Sequence, residues 1–204
     1  ISSLILAAFS KFSRAKAAVS CGADLVIELP VVYSLASAQT FAYIGIFLLN
    51  QLGIDMLSFG SECGSIPILQ QAARFSEEAE CSVQMSDLLK KGVSYPRARS
   101  EAIEKLFGKK YSDLISKPNN LLAIEYLKAL DRINQSIKPI TVSRNHAEHD
   151  EMIPSYSFAS ASYIRHLLFK KNMELVSHFV PSSSMKIFME EIENQRAPVS
   201  AEAI

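Results

Sequence analysis

Polar residues follow three apolar segments of this chain, and their types could do chemistry. The three groups are Glu28-Leu-Pro30, Gly60-Ser-Glu62 and Arg144-Asn-His146. If the apolar segments are neighbouring parallel strands, these groups share the crevice in which open α/β sheets bind ligands. Each group alone is more typical of a solvated loop, because polar residues follow most strands. We therefore expect a ligand crevice only if all three segments lie in one sheet.

The stretch from Ile54 to Glu62 is the most informative of the three. It predicts a short buried strand, Met56–Phe59, that stops at Gly60. A glycine at this point lets a bulky ligand approach the backbone, because it has no β-carbon. Cys63, beside the turn, has the chemistry of a nucleophile. No partner histidine is identifiable for it, so we favour an unreactive thiol.

Two predicted helix starts have the composition of anion sites. Ser116-Lys-Pro-Asn-Asn120 places free helix amides beside a lysine and two side-chain amides, which exceeds what capping needs. Ser162 and Arg165 are three residues apart, so both lie on one face of a first helical turn. A hydroxyl, helix amides and a guanidinium can hold a phosphate. An ordinary capped helix with a surface arginine is the alternative for this second pattern.

The segment Arg144–Asp150 brings two histidines near carboxylates. His146 and His149 lie in a predicted loop beside Asp150, and no further ligand cluster accompanies them. A structural metal site needs a closed set of ligands. We therefore favour a solvated loop and predict no metal site. Cys21, Cys63 and Cys81 are odd in number and lack metal spacing, which is typical of a reducing cytoplasm.

Composition narrows the class of protein. The 204 residues are 49% apolar and 21% charged, as in an ordinary globular protein, and they allow one domain with part of another. The net charge is zero, so any contact with nucleic acid needs a local basic patch. The most apolar run, Phe41–Leu49, is far shorter than the roughly 20 residues of a membrane-spanning helix. We predict no membrane span.

Strand-like and helix-like segments alternate along the chain, which predicts an α/β fold with a parallel sheet and helices on both faces. The predicted strands are Leu4–Phe9, Asp24–Leu29, Met56–Phe59 and Pro139–Ser143. The predicted helical segments are Phe12–Ser20, Ser34–Leu52, Pro67–Lys91, Pro96–Phe107, Ser116–Ile133, Ser160–His178 and Ser183–Asn194.

Six of these segments, taken in order, resemble one family. The chain is similar to the bacterial tRNA(Met) cytidine acetate ligases, which belong to the nucleotidyltransferase superfamily with HIGH-type motifs. The resemblance runs from about Ser10 to Pro181 and implies a Rossmann-like nucleotidyltransferase domain over residues 1–181, with a helical C-terminal region beginning at 182. The matching segments are Ser10–Lys16, Gly22–Pro30, Phe59–Glu62, Lys91–Pro96, Ser116–Asn120 and Ala159–Arg165.

The resemblance implies an ATP-dependent ligase. Acetate and ATP, with Mg²⁺, would give acetyl-adenylate, and N4 of the wobble cytidine of elongator tRNA(Met) would accept the acetyl group. The family's nucleotide contacts fall on Gly60, Asn119 and Arg144, and His149-Asp150 also matches a family position. Ser162 and Arg165 match the second phosphate signature, with Ala161 in place of a hydroxyl residue.

A basic cluster and a missing motif complete the expectations. Lys11, Arg14 and Lys16 could meet phosphate or the tRNA backbone, or form a solvated basic face. The family's Asn-Pro-Phe-His-x-Gly-His motif does not occur in the printed residues. We therefore assign no catalytic residue and expect a piece, incomplete at both ends, with weak or no ligase activity. The alternatives are a non-catalytic nucleotide- or tRNA-binding paralogue and a generic small-molecule nucleotidyltransferase.

Overall fold

The computed structural model describes residues 8–143 and 159–199. The chain divides into two compact units, residues 1–28 with 146–204 and residues 29–145. The described elements are, in chain order, α1 (Lys11–Ser20), α2 (Val31–Ser34), α3 (Ala38–Gln51), β1 (Met56–Ser61), α4 (Ile66–Glu77), α5 (Ala79–Lys90), α6 (Tyr95–Phe107), α7 (Lys109–Ser116), α8 (Pro118–Ile133), β2 (Lys138–Ser143), α9 (Ala161–Phe169), α10 (Met173–Phe179) and α11 (Ser182–Glu193).

The central unit, residues 29–145, contains a parallel pair of strands. β1 and β2 pair in register from Met56 opposite Lys138 to Ser61 opposite Ser143. Burial alternates along β1, with Leu57 and Ser61 buried and Met56 exposed. The predicted strand Met56–Phe59 is present, but it continues to Ser61 and only one of its faces is buried. One face of β1 packs on the core, and Gly60 lies within the strand, opposite Val142.

Helix α8 organises the core of the central unit, because it contacts α3, α4, α7 and β1. The largest fully buried side chains come from different helices: Ile46 from α3, Leu69 from α4, Ile103 from α6 and Ile124 from α8. Apolar residues at helical spacing give each helix one buried apolar face. This spacing is why the sequence predicted most of the helices correctly. This packing sets the position of α8 against the end of β1.

Several predicted helices need corrected boundaries. Residues 34–52 form the end of α2 and then α3, whose start is capped by Ser37. The long region 67–91 is interrupted at Glu78, and the region 160–178 is interrupted before α10, where Lys171 has a φ of 57°. The short α7 was not predicted. Its apolar face buries Leu114 and Ile115, but eight residues give too little periodicity to reveal it.

The strand predicted at Asp24–Leu29 is wrong. These residues form no strand, and Leu25 is 62% exposed. Apolar β-branched residues favour a strand only where a neighbour supplies backbone hydrogen bonds and a packing surface. Among the described residues, no segment pairs with this one. The predicted strand Leu4–Phe9 lies mostly outside the described residues, and its last residue, Phe9, is buried without strand structure.

The terminal unit, residues 1–28 with 146–204, has its own small core. Phe9 stacks on Phe188 at 4.1 Å between ring centroids, and Leu167, Leu168 and Val176 are buried with it. Helix α1 packs on α11, and α9 packs on α10. Helix α11 belongs to the same unit as α9 and α10. The domain boundary at residue 181 stays a prediction. In the described residues, no helix is long and apolar enough to cross a membrane.

Candidate functional site

Ser61 anchors the carboxyl end of β1. It is completely buried, and its Oγ lies 2.8 Å from Oγ1 of Thr141 on β2. The same Oγ accepts a hydrogen bond of 2.9 Å from the backbone N–H of Gly64. A buried hydroxyl with partners on both sides costs little to bury. Ser61 therefore joins the two strands and the turn that follows β1.

Gly64 closes this turn against the end of β2. Its φ is +64°, a conformation that other residues adopt at a cost. A β-carbon placed on Gly64 would lie 2.9 Å from Cβ of Ser143. The close approach of backbone therefore occurs at Gly64, four residues beyond the glycine that the sequence singled out. Gly60 is exposed on the strand, so its backbone stays accessible.

Glu62 connects this turn to the first turn of α8. Its Oε1 accepts hydrogen bonds from the backbone N–H of Asn119, at 3.2 Å, and from Nδ2 of Asn119, at 2.7 Å. Its Oε2 accepts a bond of 2.7 Å from the backbone N–H of Asn120. Burial alone would raise the pKa of the Glu62 carboxyl, but these hydrogen bonds outweigh burial and lower it. The ionised carboxylate is the form that fits.

Asn120 makes the reciprocal connection. It is 2% exposed, its Oδ1 accepts a bond of 2.8 Å from the backbone N–H of Cys63, and its Nδ2 donates to the carbonyl of Leu114 at 3.1 Å. We call Glu62, Cys63, Asn119 and Asn120 the Glu62 clamp. The sequence indicated Asn120 as a binding residue, whereas the structure uses its whole amide to join the β1 turn to α7 and α8.

The prediction of free helix amides at residues 116–120 is wrong. The amides of Asn119 and Asn120 already bind the Glu62 carboxylate, and Pro118 has no N–H. Ser116 does not cap α8 either, because its hydroxyl donates to the carbonyl of Asp113 at 2.7 Å. An internal carboxylate thus occupies the positive end of the helix. Contact between Asn119 and a nucleotide stays a prediction.

The predicted pair in the terminal unit forms as expected. Nη2 of Arg165 donates to Oγ of Ser162 at 3.0 Å, so both residues lie on one face of α9. Ser160, not Ser162, caps the helix, accepting from the backbone N–H of Tyr163 at 3.0 Å. Nε of Arg165 is buried without a hydrogen-bond partner among the described residues. A half-buried guanidinium with unused donors suits an anionic oxygen.

The basic cluster is partly neutralised. Lys11 contacts both carboxylate oxygens of Glu28, at 2.8 and 2.9 Å, and Lys16 contacts Glu190 at 3.4 Å. Exposed ion pairs of this kind contribute little to stability. Within the described part of the chain, only Arg14 of the three has no ion pair. These contacts favour the solvated face over a strong phosphate patch.

The predicted crevice of three strand ends is wrong as stated, because no strand precedes Glu28. Only Gly60-Ser-Glu62 is seen at a strand end. Arg144 and the segment with His146, His149 and Asp150 lie outside the described residues. Within the described residues, 8–143 and 159–199, no group of three or more His, Cys, Asp or Glu side chains could hold a metal ion.

Comparison with known proteins identifies the family. The model of the HIGH Nucleotidyl Transferase family matches residues 5–204, almost the whole chain. The chain belongs to the HIGH nucleotidyl transferase family. The α/β fold with a parallel sheet is confirmed for this nucleotidyl transferase by a crystal structure of Thermotoga maritima TmcAL without ligand, with a TM-score of 0.87 and 34% identity over 95% of this chain and 48% of that one.

Other relatives narrow the resemblance. The chain is 39% identical over 194 residues to the tRNA(Met) cytidine acetate ligase of Caldicellulosiruptor saccharolyticus, covering 94% of this chain and 47% of that protein. It is 40% identical to the ligase of the same name from Bacillus velezensis, covering 88% and 45%. A structure of Thermotoga maritima TmcAL bound with alpha-thio ATP has a TM-score of 0.85 and 33% identity, covering 96% and 47%. The chain spans about half the length of these relatives.

Proposed function

We propose that this nucleotidyl transferase takes part in the ATP-dependent acetylation of N4 of the wobble cytidine in elongator tRNA(Met). The observation that carries the proposal is the similarity along almost the whole chain to proteins named tRNA(Met) cytidine acetate ligase, at 39% identity over 194 residues in one case. A relative of the same fold bound with alpha-thio ATP supports the nucleotide as substrate.

The chemistry has two steps. An acetate oxygen attacks the α-phosphorus of ATP, pyrophosphate leaves, and acetyl-adenylate forms. The N4 amine of the cytidine then attacks the acyl carbon, AMP leaves, and the amine loses a proton. Both steps depend on stabilising the charge that develops on oxygens, so amides and guanidinium groups are the side chains they need.

Arg165 and Ser162 fit a phosphate in this scheme. The guanidinium is already fixed by the 3.0 Å bond from its Nη2 to Ser162, and Nε has no partner among the described residues. A fixed guanidinium loses little freedom when it binds an anionic oxygen. We assign the pair to a phosphate group of ATP.

Gly60, Asn119 and Arg144 are proposed to contact the nucleotide. Support for Gly60 is its exposure within β1, which leaves the backbone open to a ligand. Support for Asn119 is its fixed position at the start of α8. Mg²⁺ would bind chiefly through the phosphates of ATP, as it does at many nucleotide sites. Glu62 does not fit as its ligand, because both carboxylate oxygens accept hydrogen bonds within the protein.

The test combines binding and turnover. We expect the chain to bind ATP, to release pyrophosphate weakly and only when acetate is present, and to transfer radiolabel from acetate to elongator tRNA(Met). ATP binding without acetate-dependent pyrophosphate release would favour the non-catalytic binding protein. Adenylation of another small acid in place of acetate would favour the generic nucleotidyltransferase. Absence of ATP binding would overturn the proposal.

We also propose that the protein is cytoplasmic, because its three cysteines are free and would stay reduced there.

A further inference from the structure

We infer that Glu62 is a positioning residue for nucleotide binding, acting through Asn119. The inference rests on the proposed function, since it concerns the residue that we assign to the nucleotide. The Glu62 carboxylate accepts two hydrogen bonds from Asn119, one of 3.2 Å from the backbone N–H and one of 2.7 Å from Nδ2. No role for Glu62 follows from its residue type alone.

Glu62 does more than cap a helix. A cap accepts a hydrogen bond from a backbone N–H in the first turn. Glu62 accepts two such bonds, from Asn119 and Asn120, and also holds the side-chain amide of Asn119. A side-chain amide donor adds nothing to the helix itself. This bond fixes the rotamer of Asn119, the residue proposed to contact the nucleotide.

Glu62 is itself held to the sheet by its neighbours in the chain. The residue before it, Ser61, is buried and bonded to Thr141, and the residue after it, Cys63, donates its backbone N–H to Asn120. The carboxylate therefore fixes the Asn119 side chain relative to the end of β1. Precise placement of a contact residue saves the free energy of ordering it when a ligand binds.

The experiment is a double-mutant cycle with ATP as the probe. Glu62→Gln keeps the size of the side chain but removes the charge and points a donor at groups that are donors themselves. We expect Glu62→Gln to weaken ATP binding about tenfold, the loss of one charge-assisted hydrogen bond. Asn119→Ala should weaken it by a similar factor. The double variant should bind no more weakly than Asn119→Ala, because Glu62 acts through Asn119.

Two further variants separate positioning from folding. Glu101→Gln changes a partly exposed glutamate that pairs with Arg97 in α6, and it should bind ATP like the unmodified chain. Glu62→Asp keeps the charge on a side chain one methylene shorter, so it should restore part of the affinity lost in Glu62→Gln. If Glu62→Gln fails to fold, the ATP affinity of Glu62→Asp is measured in its place and should lie below that of the unmodified chain.

The outcomes distinguish this inference from the proposed function. Unchanged affinity in Glu62→Gln overturns the inference and leaves the proposed function standing. Unchanged affinity in Asn119→Ala overturns the inference and the nucleotide contact assigned to Asn119, but not the proposed acetylation. Losses that add in the double variant also overturn it, because Glu62 would then act independently of Asn119. If the unmodified chain binds no ATP, the proposed function and the inference both fail. Coupled losses with partial rescue by Glu62→Asp establish the inference.

Discussion

The Glu62 clamp in the central unit and the Ser162–Arg165 pair in the terminal unit use their polar groups in opposite ways. Within the clamp, Glu62 and Asn120 use both ends of their polar groups in hydrogen bonds inside the protein. In the pair, one hydrogen bond fixes a guanidinium whose Nε has no partner among the described residues. The difference separates polar residues that build a site from those with binding capacity left for a ligand.

Four predictions test that contrast. Residues of the clamp should contribute strongly to stability, whereas the pair should contribute little. Asn120→Ala should have the largest effect. It leaves the N–H of Cys63 without its partner and removes the bond from the Asn120 side chain to the carbonyl of Leu114, which keeps only a bond of 3.4 Å from the N–H of Lys117. We expect the free energy of unfolding to fall by about 3 kcal/mol, measured by urea denaturation.

Asn194→Ala is the matched control for Asn120→Ala. Asn194 is exposed and donates one hydrogen bond to the carbonyl of Glu190. Its replacement should cost less than about 1 kcal/mol. Hydrogen exchange should also be faster at the amide of Cys63 in Asn120→Ala. Equal costs for the two asparagines would show that the clamp has no special place in the stability of the fold.

Gly64→Ala should have the next largest effect. The residue would keep a left-handed backbone, and its β-carbon would lie 2.9 Å from Cβ of Ser143. We expect a loss of roughly 2 kcal/mol in the same denaturation measurement. Gly53→Ala is the control, because Gly53 has a similar φ of +68° and no atom within 4 Å of the added carbon. If Gly53→Ala is as costly, backbone strain alone explains the loss and the close approach to Ser143 is unimportant.

The pH dependence of stability should reveal the Glu62 carboxylate. Burial opposes ionisation, but hydrogen bonds from Asn119 and Asn120 lower the pKa below its ordinary 4.5 in the folded protein. The unfolded state then binds the proton more readily, so this stabilisation is present above pH 4.5 and is lost as the pH falls through the folded pKa. Glu62→Gln should cost about 1.5 kcal/mol at pH 7 and less in acid. A cost that is independent of pH would contradict an ionised Glu62.

Ser162→Ala should have the smallest effect on stability. It removes a half-buried hydroxyl that accepts one bond from Arg165, so we expect a loss below about 1 kcal/mol. Ser160→Ala, two residues earlier, removes the cap of α9 and should cost about 1 kcal/mol. ATP affinity should show the reverse order, with the greater loss in Ser162→Ala. A greater affinity loss in Ser160→Ala would assign Ser162 a purely structural role.

The sequence predicted the helices well where an apolar stripe or a cap marks them. Pro118 lies in the first turn of α8 as expected, although Ser116 does not cap that helix, and α9 begins one residue after the predicted start at Ser160. Sequence-based prediction failed where an element depends on a neighbouring strand or helix from a distant part of the chain. The segment around Leu25 has strand composition but no strand beside it among the described residues, and α7 is too short for its periodicity to show.

Residue types and short spacings by themselves determined the α/β alternation and the hydrogen-bonded spacing of Ser162 and Arg165. The resemblance of six segments, taken in order, indicated the family to which the chain belongs. Only the tertiary structure decided which groups are already used. Glu62 and Asn119 are 57 positions apart, and no local pattern shows that the carboxylate occupies the amides of α8. Hydrogen bonds depend on distances of about 3 Å, and folding alone sets such distances between residues remote in sequence.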